Sequence, residues 1–306
     1  MSLRSMGYLA PCLMLVPGAC LACACGCGVF DVGTSSMYAE HAGVTVFSEF
    51  DYLDQSHNRS GTSSAPAADN EDKAIRTRFW TVGGQYQFNR SWGLTVAVPY
   101  WQRSFLTTDE DSGAPVGSSH SAIGDIRIKA SYTGFSADMS TGLTFGVKLA
   151  NGDTSFPGFD ADTQIGSGST DALIGAYHLG RLTADQHWSY FVEGQWDQPV
   201  AHRANYRPGA EGDIAFGAYY EGWSTHRELK LVPILQLRAV HRQADGGPDA
   251  LPDDTGYSRV LVSPGLEWTV RRLQVYADVA LPVYTYARGN QLFANEMWKL
   301  NASYHF

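Results

Sequence analysis

Apolar residues alternate with polar or small residues along the chain after Gly43, in segments of about 10–14 residues. A period of two is typical of β-strands that present one apolar face. Such segments begin near residues 43, 75, 92, 122, 140, 171, 188, 212, 229, 258, 273 and 294. No segment shows a convincing helical period, so we predict an all-β protein of about 12 antiparallel strands.

The spacers between these segments alternate in length. The short ones cover residues 89–91, 136–139, 184–187, 223–228 and 271–272, and the long ones lie near 54–74, 107–120, 151–170, 200–211 and 242–257, with a shorter one at 287–292. Bacterial outer-membrane barrels sort their connections in this way, with short periplasmic turns and long extracellular loops. The sorting favours a transmembrane antiparallel β-barrel over a soluble sandwich.

The apolar stripes support a face that contacts lipid. One stripe contains Trp92, Leu94, Val96, Val98 and Tyr100, and several others also begin or end with Trp or Tyr. These two residue types are enriched where a barrel wall meets the membrane–water interfaces. We therefore expect the apolar side chains to point outwards.

The residues between the apolar positions are small or polar, and we expect them to face the lumen. The predicted pore-lining charges are Asp125, Arg127, Lys129, Lys148, Glu193, Asp197, Glu267, Asp278 and Lys299. Such charges can line an open pore and set its selectivity, or they can pair across the lumen and close it. The sequence leaves both alternatives open.

The last segment ends on an aromatic residue. Its apolar face resembles the signal that the barrel-assembly machinery recognises, and we assign this role to Trp298, Leu300, Tyr304 and Phe306. The expected partners are this machinery, outer-membrane lipid and lipopolysaccharide. A net charge of −9 argues against a nucleic-acid partner, because phosphate binding needs a basic face.

The N-terminus carries all five cysteines, at positions 12, 20, 23, 25 and 27. Residues 6–24 are apolar, follow Arg4 and end in Ala-Cys-Ala, a pattern typical of a secretory signal and its cleavage site. We predict a signal peptide at 1–24, a Cys-containing periplasmic or plug segment at 25–42 and a barrel at 43–306. Acylation of a cysteine and retention as a membrane anchor are the alternatives.

Cys25 and Cys27 would begin the mature chain, and two thiols beside a free amine can hold a soft metal such as Cu(I) or Zn²⁺. A closed zinc site needs about four ligands, and His41 is the one nearby histidine. A disulfide, an intermolecular bridge or a plain processing site are the alternatives, and we predict no cofactor.

An enzymatic barrel is the remaining alternative. His57 and Ser60 supply the residue types of a lipid hydrolase, but a nucleophile and its base must be held at about 3 Å on rigid strand ends. We place both residues in a long flexible loop and therefore predict no enzymatic activity.

Four stretches, at 25–36, 88–101, 124–152 and 165–178, resemble the outer-membrane transporter-like barrels of the family named for the MetA pathway of phenol degradation. The resemblance covers nearly the whole mature chain and consists of strand and turn patterns. It implies a porin-like protein of a Gram-negative outer membrane that passes small, often hydrophobic molecules passively. The CGCG start is not general in that family, which implies a subgroup with an added N-terminal element.

The alternative to a channel is a closed structural barrel that docks a periplasmic partner or a metal through the CGCG N-terminus.

Overall fold

The computed structural model describes residues 42–109, 111–226 and 229–306. The predicted signal peptide, Cys25 and Cys27, and the 25–42 segment up to residue 41 lie outside the described residues. No helix in the described ranges is long and apolar enough to cross a membrane.

Sixteen strands and one short 3-10 helix make up the regular structure of the described residues. The strands are β1 (Gly43–Gln55), β2 (His57–Gly61), β3 (Ser63–Ser64), β4 (Ala74–Gln87), β5 (Trp92–Thr108), β6 (Pro115–Ile123), β7 (Arg127–Tyr132), β8 (Thr141–Lys148), β9 (Ser169–Arg181), β10 (Trp188–His202), β11 (Glu211–Tyr220), β12 (Trp223–His226), β13 (Leu229–Arg242), β14 (Tyr257–Val270), β15 (Leu273–Phe293) and β16 (Met297–His305). The 3-10 helix covers Ala67–Asp69.

Twelve of these strands close into an antiparallel barrel, in the order β1-β4-β5-β7-β8-β9-β10-β11-β13-β14-β15-β16. The last strand pairs with the first, for example at Lys299 and Asp51, which leaves no open edge in the ring. The prediction of about 12 antiparallel strands is therefore confirmed, and most of the predicted segments begin within a few residues of the observed strands.

Of the other four strands, β2, β3 and β6 lie at the long-loop end, and β12 lies at the tight-turn end. β6 and β7 both pair with β5, β6 with its second half and β7 with its first half, and residues 124–126 separate them. β2 and β3 form in the loop after β1, and β12 folds onto the start of β13.

Two predicted loops are wrong in detail. Residues 287–292 lie inside β15, whose far end pairs with β2, as Phe293 does with His57. Most of the 107–120 loop forms a hairpin, because β5 runs to Thr108 and β6 begins at Pro115. These strand ends lie beyond the apolar stripes and have water on the outside, so they carry no apolar alternation for sequence reasoning to detect.

The outer wall is apolar. Val82, Ile174, Ile214 and Val283 are each between 60% and 64% exposed. A continuous apolar surface of this kind is unfavourable in water and favourable in lipid. The outward direction of the stripes is therefore confirmed by the structure.

An aromatic girdle surrounds the tight-turn end of the barrel. Outward-facing rings pair there at centroid distances of 4.7 Å (Tyr86 and Phe88), 4.9 Å (Trp92 and Tyr132), 5.1 Å (Trp188 and Tyr220) and 5.0 Å (Tyr304 and Phe306). Such rings lie at the headgroup level of a bilayer. The tight turns therefore mark one membrane interface, which the loop sorting assigns to the periplasm.

Candidate functional site

The predicted pore-lining residues lie on the inner wall or at the loop ends that enter the lumen. Asp125, Asp197, Glu267, Asp278 and Lys299 are buried, and Arg127, Lys129, Lys148 and Glu193 are partly buried. Their role in conduction stays a prediction, but the structure shows which of them come together.

A row of charged residues crosses six neighbouring strands near the long-loop end of the lumen. We call it the charged arc, and it consists of Arg127, Lys148, Asp171, Asp197, Glu211 and Arg242. Strand register places Arg127 beside Lys148, Lys148 beside Asp171, and Glu211 between Asp197 and Arg242. The arc therefore follows from barrel closure and not from a motif in the chain.

Ion pairs connect the members of the arc. Lys148 pairs with Asp171, and Arg127 Nη1 lies 3.4 Å from Asp197 Oδ2. Arg242 Nη2 lies 2.7 Å from Asp245 Oδ1. Each basic side chain of the arc therefore has a carboxylate partner.

A second group of charges surrounds Lys299, and we call it the Lys299 cluster. Lys299 Nζ lies 2.9 Å from Glu49 Oε2 and 3.5 Å from Asp51 Oδ1. Beside it, the Tyr276 hydroxyl donates to Asp278 Oδ2 at 2.6 Å. Buried charges of this kind have to be paired, since an unpaired one is strongly destabilising.

Two apolar clusters lie on either side of the Lys299 cluster. The periplasmic cluster contains Tyr177, Phe191, Ala215, Val232, Ile234 and Tyr276. The extracellular cluster contains Leu53, Phe79, Val240, Tyr257, Ala287 and Phe293. The expectation that inward positions are small or polar is therefore wrong at these two levels, because large side chains fill the lumen of a barrel this narrow.

The long loop at residues 149–168 folds into the extracellular mouth, and we call it the roof. Ile165 and Thr163 are fully buried there. Arg103 donates from Nη1 to the carbonyl oxygens of Thr163 and Gln164, and from Nε to Thr77 Oγ1 at 3.0 Å. A cation on the barrel wall thus holds the tip of the roof in place.

Asp125 binds the two ends of the roof where they meet, at Gly152 on one side and Gly166 and Ser167 on the other, and we call this point the neck. Its carboxylate accepts hydrogen bonds from the backbone N–H groups of Gly152 and Ser167, each at 2.8 Å. The two sides of the neck approach closely, since a Cβ atom on Gly152 would lie 2.6 Å from Gly166 Cα. Asp125 therefore joins the two sides of the loop to the barrel wall, in addition to the contacts of Arg103. No pattern in the chain pointed to this role of Asp125.

Asp72 lies at the contact between the roof and the loop that precedes β4. Burial, with added repulsion from Asp160 and Asp162 of the roof, raises the pKa of Asp72 to about 8, although a hydrogen bond with Thr107 opposes the shift. This carboxyl is therefore protonated at neutral pH. Its ionisation would place a negative charge against the roof.

A cavity of about 150 Å³ lies beneath the roof. Its walls include Phe79, Trp101, Tyr206 and the whole charged arc. Among its lining residues, six are acidic and three are basic. The combination of ligand-sized space, aromatic rings and charge makes this cavity the candidate site.

The remaining candidate residues do not form a second site. His57 and Ser60 lie on β2, where the prediction of a flexible loop is wrong, and their spacing of three puts them on opposite faces of that strand. Among the residues that the structure describes, no group of three or more His, Cys, Asp or Glu side chains could hold a metal ion.

The residues assigned to the assembly signal share one face of the last strand and the residue after it. Trp298, Leu300, Tyr304 and Phe306 are exposed on the outer wall, where lipid and other barrels can contact them. Recognition by the assembly machinery stays a prediction.

Comparison with solved structures gives the same architecture. The chain is similar to the crystal structure of the COG4313 outer membrane channel from Pseudomonas putida F1, with a TM-score of 0.68 and 11% identity over 90% of this chain and 100% of that one. It is also similar to the β domain of the Bordetella autotransporter BrkA, with a TM-score of 0.52 and 10% identity over 87% of this chain and 100% of that one. No family model and no curated protein matches the sequence.

Likeness at such low identity concerns the fold. Together with the apolar outer wall, it shows a 12-stranded β-barrel of the bacterial outer membrane.

Proposed function

We propose that this protein is a passive channel for small molecules across the outer membrane, with the roof as its extracellular gate. The observation that carries the proposal is the charged cavity beneath an inward-folded loop. Ligand sites in proteins are concave spaces that combine apolar walls with a few polar groups, and this cavity has both.

In this proposal, the arrangement of the roof and the lumen side chains corresponds to a closed channel. The roof covers the cavity from outside, and the Lys299 cluster and the periplasmic cluster fill the lumen below it. Passage therefore requires the roof to move and the side chains below to change rotamer. An outward movement of the loop has to break the hydrogen bonds to Asp125 and those from Arg103.

The nature of the cargo follows from the lining. The resemblance to the phenol-pathway family implies hydrophobic cargo, and this finer assignment rests on that resemblance. The cavity wall offers aromatic rings beside carboxylates and bases, so it suits a small molecule with at least one polar group.

The test is conductance of the purified barrel in planar lipid bilayers. We expect the wild-type protein to be mostly closed with brief openings. Replacing residues 153–165 by a short Gly-Ser linker should make the openings several-fold more frequent, because the side chains below then form the one remaining barrier. Replacing the exposed residues 111–114 by Gly and Ser, outside the cavity lining, is the matched control and should leave the closed behaviour unchanged.

A second candidate is the closed structural barrel that docks a periplasmic partner. The Lys299 cluster favours it, because paired charges that fill the lumen also suit a permanently shut barrel. Absence of current from both the wild-type protein and the roof-deleted variant, with both shown to be folded, would contradict the channel and support this candidate.

A further inference from the structure

The cavity beneath the roof has an excess of acidic groups. Its three basic residues, Arg127, Lys148 and Arg242, each have a carboxylate partner, as described above. Six acidic residues line the same space, so the field inside it is negative when the acids are ionised. An anion in the cavity would be repelled by the carboxylates, and the basic residues that could attract it already form ion pairs.

Two aromatic rings in the same wall already contact cationic side chains of this chain. Trp101 and Tyr206 line the cavity, and each already has an arginine near its ring. Arg103 lies 4.9 Å from the ring centroid of Trp101, and Arg203 lies 5.3 Å from that of Tyr206. The π face of an aromatic ring attracts a cation electrostatically.

Glu211 is the acidic group best placed to meet a ligand. It lies in the middle of the charged arc, between Asp197 and Arg242 in strand register. Tyr257 donates its hydroxyl hydrogen to Glu211 Oε2 at 3.1 Å, which fixes the carboxylate at the cavity wall. A neutral apolar ligand would strip water from this group without replacing its hydrogen bonds, which is unfavourable.

We propose that this cavity binds a small organic cation, about the size of one aromatic ring, that carries an ammonium group. The volume of about 150 Å³ sets the size, since a cavity of that volume accommodates benzene. The ammonium group faces the carboxylates of the arc, with Glu211 as the main partner, and the ring packs against Trp101. As the substrate class of the channel, the assignment rests on the proposed function.

Equilibrium binding to the folded barrel in detergent micelles tests the site without requiring conduction. Benzylammonium, benzyl alcohol and benzoate have nearly the same shape and differ in charge. Calorimetry should show binding of benzylammonium, binding of benzyl alcohol that is weaker by about tenfold or more, and no binding of benzoate. Equal binding of all three, or preference for benzoate, would overturn the assignment.

Two variants locate the site. Glu211→Gln should weaken benzylammonium binding by about tenfold, whereas Asp111→Asn, which removes a charge from an exposed turn, should leave it unchanged. If Glu211→Gln does not fold, as judged by its heat-modifiable migration on a gel, Asp162→Asn in the roof replaces it and should weaken binding several-fold. Unchanged affinity in the folded variant would contradict the proposal.

Current recorded with the same ligands separates this inference from the proposed function. If benzylammonium binds to a barrel that never conducts, the cation site is supported and the channel function is contradicted. A conducting barrel that neither binds benzylammonium nor prefers K⁺ over Cl⁻ would keep the channel and reject the cation site.

Discussion

The two halves of the lumen are closed in different ways. The periplasmic half is filled by side chains of the strands themselves, such as Phe191 and Tyr276, below which the wall ends in tight turns. The extracellular half is closed by the roof, which reaches the barrel through hydrogen bonds from Arg103 and to Asp125. Packing of strand residues is part of the stability of the fold, whereas a loop can move without unfolding the barrel. For the proposed channel, we therefore expect the gate in the extracellular half.

The tight turns show the same contrast on a smaller scale. Hydrogen bonds from Ser140 lower the pKa of Asp138, so that turn is held by an ionised side chain at neutral pH. At the roof, the buried Asp72 is protonated under the same conditions. The tight turn thus contains an ionised carboxylate, whereas the contact between the roof and the barrel contains a neutral carboxyl that can ionise.

The largest effect is expected at the Lys299 cluster, between the two halves. Lys299→Met leaves Glu49 and Asp51 without their basic partner and should lower the free energy of unfolding by about 3–5 kcal/mol. Urea titration in micelles measures it. Arg76→Met, which removes the exposed pair with Asp54, is the control and should lose less than about 1 kcal/mol. A similar small loss at Lys299 would contradict the buried pairing.

The next prediction compares one phenylalanine from each half. Phe191→Ala creates a cavity in the periplasmic cluster and should lower the free energy of unfolding by about 3 kcal/mol or more. Phe159→Ala removes a ring from the roof and should change the unfolding transition by much less, while it raises the fraction of time that the channel is open. Equal losses in the two variants would show that the roof is part of the barrel core.

A smaller effect is expected at the neck of the roof. Asp125→Ala removes the acceptor of the Gly152 and Ser167 N–H groups, so the roof should open several-fold more often in single-channel records. Asp125→Asn keeps one acceptor oxygen and should give an intermediate value. If neither variant changes the opening frequency, the neck does not control the gate.

The last prediction concerns pH. Asp72 has a pKa of about 8 with the roof closed, against an ordinary value of 3.8, so the closed state binds more protons between these values. Closure is therefore favoured at low pH and weakens as the pH rises from about 4 to 8, above which it levels off. Opening frequency in bilayers should follow this course, and Asp72→Asn should flatten it. An unchanged pH profile in the variant would assign the dependence to another group.

The strands could be predicted because their signal is local. The stripe from Trp92 to Tyr100 needs only its own alternation to show that it is a strand with an outer face. The strand Pro115–Ile123 and the far end of β15 were not predicted, because both extend beyond the lipid and have no apolar face there. Alternation predicts which side chains face the lumen, but which of them contact one another could not be deduced from residue type.

The sequence by itself determined the number of strands, the direction of their apolar faces and the sorting of the loops, because alternation and turn length are properties of neighbouring residues. Only the tertiary structure decided that Arg127 meets Asp197 and that Asp125 fastens the neck of the roof. These contacts join residues tens of positions apart, and they depend on how the closed sheet sets its register and curvature. No local pattern in the chain encodes that register.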